Sequence, residues 1–287
     1  MKEIVVISGK GGTGKTSLSA SLSYVAANEV VMADCDVDAA DLHLILKPEN
    51  QYSEDFYSGF KAEINPEYCQ SCGACFSVCR FEAILRKDDR YEVKYLDCEG
   101  CGYCQHVCLA EAINLREQKV GLCHIADARF GCKLVHAELG IGADNSGKLV
   151  AKVKRDANRV AKENSKDYIL VDGSPGIGCP VISSLSGAAY AVLVTEPSLS
   201  GLEDLKRVWE LSARFRIACG CVINKADINP EITAMIKDIL VEKDIELLSE
   251  IPYDEDFPRA ITKGLCLMEL DQAKWEPYIK QIWEKIR

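Results

Sequence analysis

The sequence lacks a long apolar run, a secretion signal and an excess of basic residues. Without a run of about eighteen apolar residues, we expect no transmembrane helix. The opening segment MKEIVVISGK has no apolar core followed by small residues, so we expect no secretory signal and a cytoplasmic location. Lysine and arginine (34) are outnumbered by aspartate and glutamate (44). This acidic balance disfavours nucleic acid as a partner.

Cysteine is the residue type in excess, with 15 in 287 residues. Cysteine-rich chains are typically short secreted disulfide scaffolds, but this chain is long enough to bury a full core. An odd number of cysteines also fits poorly with complete disulfide pairing. The composition, 48% hydrophobic and 27% charged, excludes collagen-like and disordered classes. The cysteines therefore predict metal binding in a reducing compartment.

Eight cysteines form two copies of the motif Cys-x2-Cys-x2-Cys-x3-Cys, which makes an internal repeat. The copies are Cys69, Cys72, Cys75 and Cys79, then Cys98, Cys101, Cys104 and Cys108. Three thiolates at this spacing wrap one iron–sulfur cubane, and we expect the fourth to start a helix that leads away from it. Gly73 and Gly102 occupy matching places, where we expect the backbone to approach inorganic sulfide.

This repeat resembles the bacterial two-cluster ferredoxins, in which the fourth cysteine binds the other cluster. The resemblance implies two [4Fe–4S] clusters with crossed ligands. One set is Cys69, Cys72, Cys75 and Cys108, and the other is Cys98, Cys101, Cys104 and Cys79. Arg80 and Leu109 stand where proline usually follows the fourth cysteine. The alternative is a pair of zinc sites, although zinc ribbons use two x2 pairs separated by a long gap.

A phosphate-binding loop is predicted near the start of the chain. The apolar run Glu3–Ser8 predicts a buried strand, and Gly9–Thr16 matches G-x-x-x-x-G-K-[ST] at every fixed position. We expect Lys15 to reach the β- and γ-phosphates and Thr16 to bind Mg²⁺. A helix beginning at Lys15 adds its N-terminal dipole. The residues predicted to bind nucleotide here are Gly11, Gly12, Thr13, Gly14, Lys15, Thr16 and Ser17.

The lysine directly after the first glycine, Lys10, gives the loop a resemblance to the deviant Walker A loop of the MinD/ParA family of P-loop ATPases. The resemblance implies that Lys10 reaches the nucleotide of a partner subunit and is catalytic together with Lys15. It also implies that ATP binding produces a homodimer, or a heterodimer with a related ATPase. The alternative is that Lys10 is a solvated loop charge.

Two further segments extend the resemblance. The strand Val30–Asp36 ends in D-x-D, as in the family's first switch, which implies that Asp36 positions the attacking water. The neighbouring acidic residues remain alternatives for this role: Asp34, Asp38 and Asp41. The segment Tyr168–Gly178 resembles the Walker B strand and second switch, which implies that Asp172 holds a water on Mg²⁺.

Base recognition is predicted at two turns. The sequence Asn224-Lys225-Ala226-Asp227 follows a strand, and N-K-x-D reads guanine in GTPases, whereas in MinD-like ATPases the asparagine contacts adenine. The overall resemblance favours ATP over GTP. The turn Ile251–Asp254 matches the family's I-P-x-D turn, which lies against the base. The residues predicted to contact the base are Asn224, Lys225, Pro252, Tyr253 and Asp254.

Strands and helices alternate outside the cysteine repeat, which predicts an α/β fold with a doubly wound, mainly parallel sheet. The predicted P-loop ATPase domain comprises residues 1–61 and 118–287, interrupted at 62–117 by an inserted α+β ferredoxin-like domain. Residues 118–150 are predicted to be a connecting hairpin. The alternative for this segment is a metal-ligand set of Cys123, His124, Cys132 and His136.

Two features near the second switch and the chain end remain open. Cys179 follows Asp172 by seven residues, and in the nitrogenase iron protein, a relative of the family, a cysteine at that spacing binds a cluster that bridges the dimer. The alternative is a small buried thiol. MinD ends in a membrane-seeking helix, but the predicted helix 273–286 has a polar face of mixed charge. Core packing is therefore expected, and membrane binding is not.

The resemblance predicts a Mg-ATP-dependent ATPase that carries two [4Fe–4S] clusters. Its nucleotide state would be coupled to electron transfer, or to assembly of a metal–sulfur cofactor, on an unidentified partner protein. Stable ligation by eight cysteines favours electron transfer, whereas a carrier needs a labile cluster. The alternative is a MinD-like positioning or regulatory switch in which the clusters are structural.

Overall fold

The computed structural model describes residues 1–140 and 146–287. Its strands are β1 (Lys2–Ser8), β2 (Val30–Asp34), β3 (Glu49–Ile64), β4 (Ile84–Lys87), β5 (Arg90–Val93), β6 (Ile113–Asp127), β7 (Lys133–Leu139), β8 (Tyr168–Pro175), β9 (Tyr190–Thr195), β10 (Ala218–Asn224) and β11 (Glu246–Ile251). Its helices are α1 (Lys15–Ala26), α2 (Leu42–Leu46), α3 (Ala74–Val78), α4 (Tyr103–His106), α5 (Ser146–Glu163), α6 (Cys179–Leu185), α7 (Leu199–Arg214), α8 (Pro230–Glu242), α9 (Asp256–Lys263), α10 (Leu267–Leu270) and α11 (Gln272–Ile286).

Nine strands form one sheet in the order β11-β10-β9-β1-β8-β2-β7-β6-β3. The neighbours from β11 to β7 pair in parallel. β6 and β7 form a hairpin, in which the Ala128 amide donates to the Cys132 carbonyl and the Gly140 amide donates to the Val120 carbonyl. The structure is therefore an α/β fold with a mainly parallel sheet, as predicted. The carboxyl ends of β1, β2 and β8 meet at one edge, where ligands bind in such sheets.

The central parallel strands of the sheet are buried on both faces. Ile4, Val5, Val6 and Ile7 of β1 are all inaccessible to solvent, which is typical of a parallel strand covered by helices on either side. One core cluster joins Ile4 and Val6 to apolar residues of α1 and α11.

The last helix contributes its whole apolar face to this core. Its buried side chains are Trp275, Ile279, Ile282, Trp283 and Ile286, so the predicted core packing is observed. Within residues 1–140 and 146–287, no helix has the length and apolarity needed to cross a membrane.

The chain divides into two compact units. The first, here called the ATPase unit, comprises residues 1–54, 122–139 and 146–287, and the second, the cysteine unit, comprises residues 55–121 with Gly140. The cysteine unit holds the antiparallel β4–β5 hairpin, α3, α4 and a small core of Ala62, Cys75, Ala83, Ile84, Cys98 and Ile113. Part of the predicted connecting segment 118–150, residues 141–145, lies outside the described residues.

Candidate functional site

The loop between β1 and α1 adopts a conformation that requires glycine. Gly12 and Gly14 have φ angles of +77° and +90°, which residues with a Cβ atom rarely adopt. A Cβ atom on Gly14 would also lie 2.6 Å from Nδ2 of the Asn224 side-chain amide. That amide donates a hydrogen bond to the Thr13 carbonyl (2.8 Å), so glycine at position 14 permits this contact.

A cavity of about 580 Å³ opens at this loop, a volume within the usual range for small-molecule sites. Its lining combines the loop with residues that follow β2 and the end of β8. The lining includes Gly11, Gly12, Thr13, Gly14, Lys15, Thr16, Ser17, Asp36, Asp38, Asp41, Ser174 and Pro175. The parallel sheet thus gathers the predicted phosphate, switch and magnesium segments at one edge.

Lys15 places a buried positive charge in this cavity. Its Nζ lies 3.0 Å from Asp172 Oδ1 and 3.4 Å from Asp36 Oδ2. Burial by itself would lower the pKa of Lys15, but the two carboxylates raise the pKa overall. Burial also raises the pKa of Asp36, against the opposing effect of Lys15.

Asp172 has one oxygen engaged and one free. Its Oδ1 accepts hydrogen bonds from Lys15 and from Ser19 Oγ (2.9 Å), whereas Oδ2 is buried without a hydrogen-bond partner among residues 1–140 and 146–287. An unpaired buried carboxylate oxygen is costly. Mg²⁺ is commonly bound by one or two carboxylates together with water and substrate phosphates. Asp172 and Thr16, whose oxygens both lie within 3.5 Å of Lys15 Nζ, therefore fit a magnesium ion.

Asp34, an alternative to Asp36, supports the loop backbone. Its two carboxylate oxygens accept hydrogen bonds from the amides of Asp36 (3.1 Å) and Leu42 (3.3 Å). Burial, reinforced by the charge of Asp172, raises the pKa of Asp34 well above its ordinary range. Asp36 itself lines the cavity, and its catalytic role stays a prediction.

Lys10 is bound within its own chain by residues that the sequence analysis missed. Its Nζ forms a salt bridge with Glu196 (2.6 Å) and donates hydrogen bonds to the hydroxyls of Ser198 and Ser200. Burial by itself would raise the pKa of Glu196, but Lys10 and Lys225 lower it overall. The alternative of a solvated charge at Lys10 is therefore wrong. The available signal for Glu196 was its place directly after β9, at the same edge of the sheet.

The N-K-x-D segment makes hydrogen bonds with the P-loop and with the second predicted base turn. Lys225 Nζ donates to the Gly12 carbonyl (3.3 Å) and pairs with Glu196 (2.7 Å). Asp227 accepts a hydrogen bond from the Tyr253 amide (2.6 Å). The five residues predicted to contact the base lie outside the lining of the phosphate cavity: Asn224, Lys225, Pro252, Tyr253 and Asp254. Their contact with adenine stays a prediction.

The eight repeat cysteines gather around two cavities in the cysteine unit. The lining cysteines of one are Cys69, Cys72, Cys75 and Cys108. Those of the other are Cys79, Cys98, Cys101 and Cys104. Each cavity thus takes its fourth cysteine from the other copy of the repeat. Four thiols per cavity form a donor set that fits one [4Fe–4S] cluster.

The two copies of the repeat fold alike. Gly73 and Gly102 have φ angles of +77° and +76° and directly precede α3 and α4. The fourth cysteines, Cys79 and Cys108, follow these helices and do not start them, because α3 ends at Val78 and α4 ends at His106. The sulfurs of Cys98 and Cys108 accept hydrogen bonds from the amides of Ala62 (3.5 Å) and Ala112 (3.4 Å).

The remaining cysteines differ in exposure. Cys179 is exposed at the start of α6, so the alternative of a small buried thiol is wrong, because the turn after β8 brings this residue to the surface. The other six are buried or half-buried: Cys35, Cys123, Cys132, Cys219, Cys221 and Cys266. None of the fifteen, all of which lie within the described residues, is paired in a disulfide.

The alternative ligand set Cys123, His124, Cys132 and His136 is not assembled. Neighbouring residues of a strand point to opposite faces, and Cys132 belongs to the main apolar core. The residues whose ligand atoms do come together are His124, His136 and Glu138.

The sequence of the chain is similar to those of known proteins. A family model described as the CobQ/CobB/MinD/ParA nucleotide binding domain matches residues 4–267. An uncharacterized protein of Methanocaldococcus jannaschii is 32% identical over 99% of this chain and 96% of its own length.

Two solved structures show the same fold. One is the septum site-determining protein MinD of Pyrococcus horikoshii complexed with Mg-ADP, with a TM-score of 0.59 and 20% identity over 99% of this chain and 95% of that one. The other is the MinC:MinD cell division protein complex of Aquifex aeolicus, with a TM-score of 0.58 and 19% identity over 99% and 95%.

Proposed function

The chain belongs to the CobQ/CobB/MinD/ParA nucleotide-binding family, and we propose that it is a Mg-ATP-dependent ATPase whose nucleotide state is coupled to two [4Fe–4S] clusters. The coupling serves electron transfer to a partner protein, or assembly of a metal–sulfur cofactor on it. The observation that carries the proposal is the presence, in one chain, of a P-loop cavity and two cavities with four cysteines each.

ATP binds with its phosphates in the P-loop cavity. Lys15 balances the charge of the β- and γ-phosphates, and Thr16 and Asp172 hold Mg²⁺. Asp36 orients the attacking water from the first switch. Because phosphoryl transfer depends on positioning and charge stabilisation, these four side chains provide the chemistry of hydrolysis. The Mg-ADP in the P. horikoshii relative supports this assignment.

Lys10 connects hydrolysis to dimerisation. In the single chain it is held by Glu196, Ser198 and Ser200. Release from these residues allows Lys10 to contact the nucleotide of the partner subunit in a homodimer, or in a heterodimer with a related ATPase. Glu196 then keeps its second partner, Lys225, so its charge remains balanced.

The eight repeat cysteines hold the two clusters in the crossed arrangement. When bound, such clusters supply one-electron transfer. The chain contributes thiolate ligands, and amide donors to Cys98 and Cys108 favour the more reduced state because they stabilise negative charge on sulfur. Cys179, exposed on the ATPase unit, is a candidate ligand for a further cluster between two subunits.

A second function has its own support. The two solved relatives are MinD cell-division proteins, and one is bound to its partner MinC. A MinD-like positioning or regulatory switch would use the same ATPase cycle, with the clusters as structural elements. The two functions differ in whether nucleotide changes the electron affinity of the clusters.

The reduction potential measured with and without Mg-ATP separates them. Coupling predicts a shift in the wild type and no shift in Lys15→Ala, in which the cysteine unit is unaltered and serves as the matched control. A potential that nucleotide leaves unchanged in the wild type contradicts coupling and favours the switch.

A further inference from the structure

Three of the four histidines in the chain form one cluster within the ATPase unit. The ring of His136 stacks on the ring of His124, with centroids 4.7 Å apart, and on the ring of His43 from α2, with centroids 5.7 Å apart. The fourth histidine, His106, is exposed in the cysteine unit. This cluster takes no part in the proposed nucleotide or iron–sulfur chemistry.

The hairpin register creates the cluster. With Val120 opposite Gly140 and Ala128 opposite Cys132, His124 lies directly across from His136. Directly opposed residues of an antiparallel pair project to the same face. Glu138 lies two residues beyond His136 on β7, so it joins the same face.

Polar atoms of this cluster are buried without partners. Both ring nitrogens of His136, Nε2 of His124 and Nδ1 of His43 make no hydrogen bond with any residue that the structure describes. Leaving such atoms unsatisfied is unfavourable, because they lose the hydrogen bonds that they make with water in the unfolded chain. Buried polar groups of this kind call for an explanation, and an ion bound at the site is one.

Two polar side chains contact the ring of His124 and fix its orientation. Its Nδ1 lies 2.6 Å from Gln51 Nε2 and 2.8 Å from Ser53 Oγ. Gln51 and Ser53 are two residues apart on β3, so both reach the same ring from the neighbouring strand. Ser53 Oγ can accept a hydrogen bond from Nδ1–H, and in that tautomer the Nε2 lone pair is free, as in a metal-binding histidine whose other ring nitrogen donates.

We propose that His124, His136 and Glu138 bind a divalent first-row transition-metal ion such as Zn²⁺. One ligand atom from each lies within 4.8 Å of the others. Metal–nitrogen distances of about 2.0–2.1 Å place tetrahedral ligands about 3.4 Å apart, which small side-chain movements achieve. Two imidazoles and a carboxylate leave a fourth position for water. His43 packs against His136 and holds its ring in place.

Cobalt(II) titration of the full, cluster-containing protein tests this site, because Co²⁺ reports its own ligands by absorption. After dialysis against a chelator, we expect the wild type to bind one equivalent of Co²⁺ with ligand-field bands and no sulfur-to-cobalt charge-transfer band, and Zn²⁺ to displace it. His136→Asn should abolish these bands. His106→Ala, which alters the exposed histidine of the other unit, is the matched control and should keep them.

Two milder variants test the site with less risk of misfolding than His136→Asn. Glu138→Gln changes an exposed side chain, and Ser53→Ala removes the hydroxyl that can accept from His124 Nδ1. Each should weaken Co²⁺ binding about 10- to 100-fold at unchanged iron content. Wild-type binding that equals that of His136→Asn, or bound Co²⁺ with a sulfur charge-transfer band, overturns the proposal. Neither result depends on ATP hydrolysis or on the reduction potential, so it leaves the proposed function untouched.

Discussion

The ATPase unit and the cysteine unit are stabilised in different ways. The ATPase unit buries large apolar side chains against its parallel strands, among them Trp275, Ile279 and Leu22. The core of the cysteine unit consists of six buried residues, of which Cys75 and Cys98 are two. A unit of about this size buries too little surface for high stability by itself. The proposed clusters would therefore couple metal binding to folding in the cysteine unit, whereas the ATPase unit has an apolar core large enough to fold without iron.

Removal of iron should produce the largest difference in stability between the two units. Chelation after oxidation of the clusters should leave the cysteine unit without its cross-links, because its apolar core is small. We expect amide hydrogen exchange of residues 62–117 to approach that of an unfolded chain, while residues of β1 and α11 stay protected. Loss of protection in both units together would show that the ATPase unit also depends on iron.

Trp275→Ala should destabilise the ATPase unit and leave the cysteine unit unchanged. Trp275 is fully buried in the main core, and its truncation should lower the free energy of unfolding of the ATPase unit by about 3–5 kcal/mol. Denaturant titration followed by tryptophan fluorescence measures it, since Trp209 and Trp283 remain in that unit. The iron content should not change, and a parallel loss of iron would mean that the two units unfold together.

Lys15→Ala should stop hydrolysis without altering either fold. The substitution removes the buried cation that faces the phosphates, and a steady-state phosphate-release assay should show at least a 100-fold lower kcat, about 2.7 kcal/mol or more. Lys148→Ala, on the surface of α5, is a suitable control and should hydrolyse ATP normally. Near-normal hydrolysis by Lys15→Ala would show that the P-loop cavity is not the catalytic site.

Acid should destabilise the ATPase unit through its histidine cluster when metal is chelated. Burial, reinforced by His124 and His43, lowers the pKa of His136 to about 4, whereas an unfolded histidine has a pKa of about 6.5. The unfolded state therefore binds more protons between these values, and stability falls as the pH falls. Each additional proton contributes a slope of at most about 1.4 kcal/mol per pH unit.

Stability measured from pH 7 to pH 4.5 by tryptophan fluorescence tests this slope. His136→Asn should flatten the profile, and His106→Ala should leave it as in the wild type. An equal slope in all three proteins would assign the acid sensitivity to other groups.

Loss of a helix cap should have the smallest effect. Asn229 accepts a hydrogen bond from the Ile232 amide at the start of α8 (3.1 Å). Asn229→Ala should lower the stability of the ATPase unit by about 1 kcal/mol, measured by the same fluorescence titration. A change above about 3 kcal/mol would point to a role beyond capping.

The parts of the fold that carry regular patterns were predictable from the sequence. β1 and α11 each begin one residue before the predicted start and end where predicted, and α1 begins at Lys15 as predicted. These elements have continuous apolar runs or a 3.6-residue apolar period. β3 was missed because nearly all of its side chains are exposed or half-buried, so it lacks an apolar face that would distinguish it from a loop.

The candidate site divides in the same way. The P-loop and the cysteine repeat are local motifs, and their residues could be named from spacing alone. Glu196 and the histidine cluster depend on contacts between distant segments: His43, His124 and His136 meet only through the position of α2 and the register of β6 with β7. Sequence spacing carries no record of such a register.

The central claim is that one chain joins a P-loop ATPase to two iron–sulfur clusters, and iron and acid-labile sulfide counted per chain test it most directly. Protein purified without oxygen should contain about eight iron and eight sulfide atoms. The variant Cys79→Ala with Cys108→Ala, which removes one ligand from each cavity, should lose most of both. Two zinc ions per chain without sulfide would contradict the account and establish zinc sites in their place.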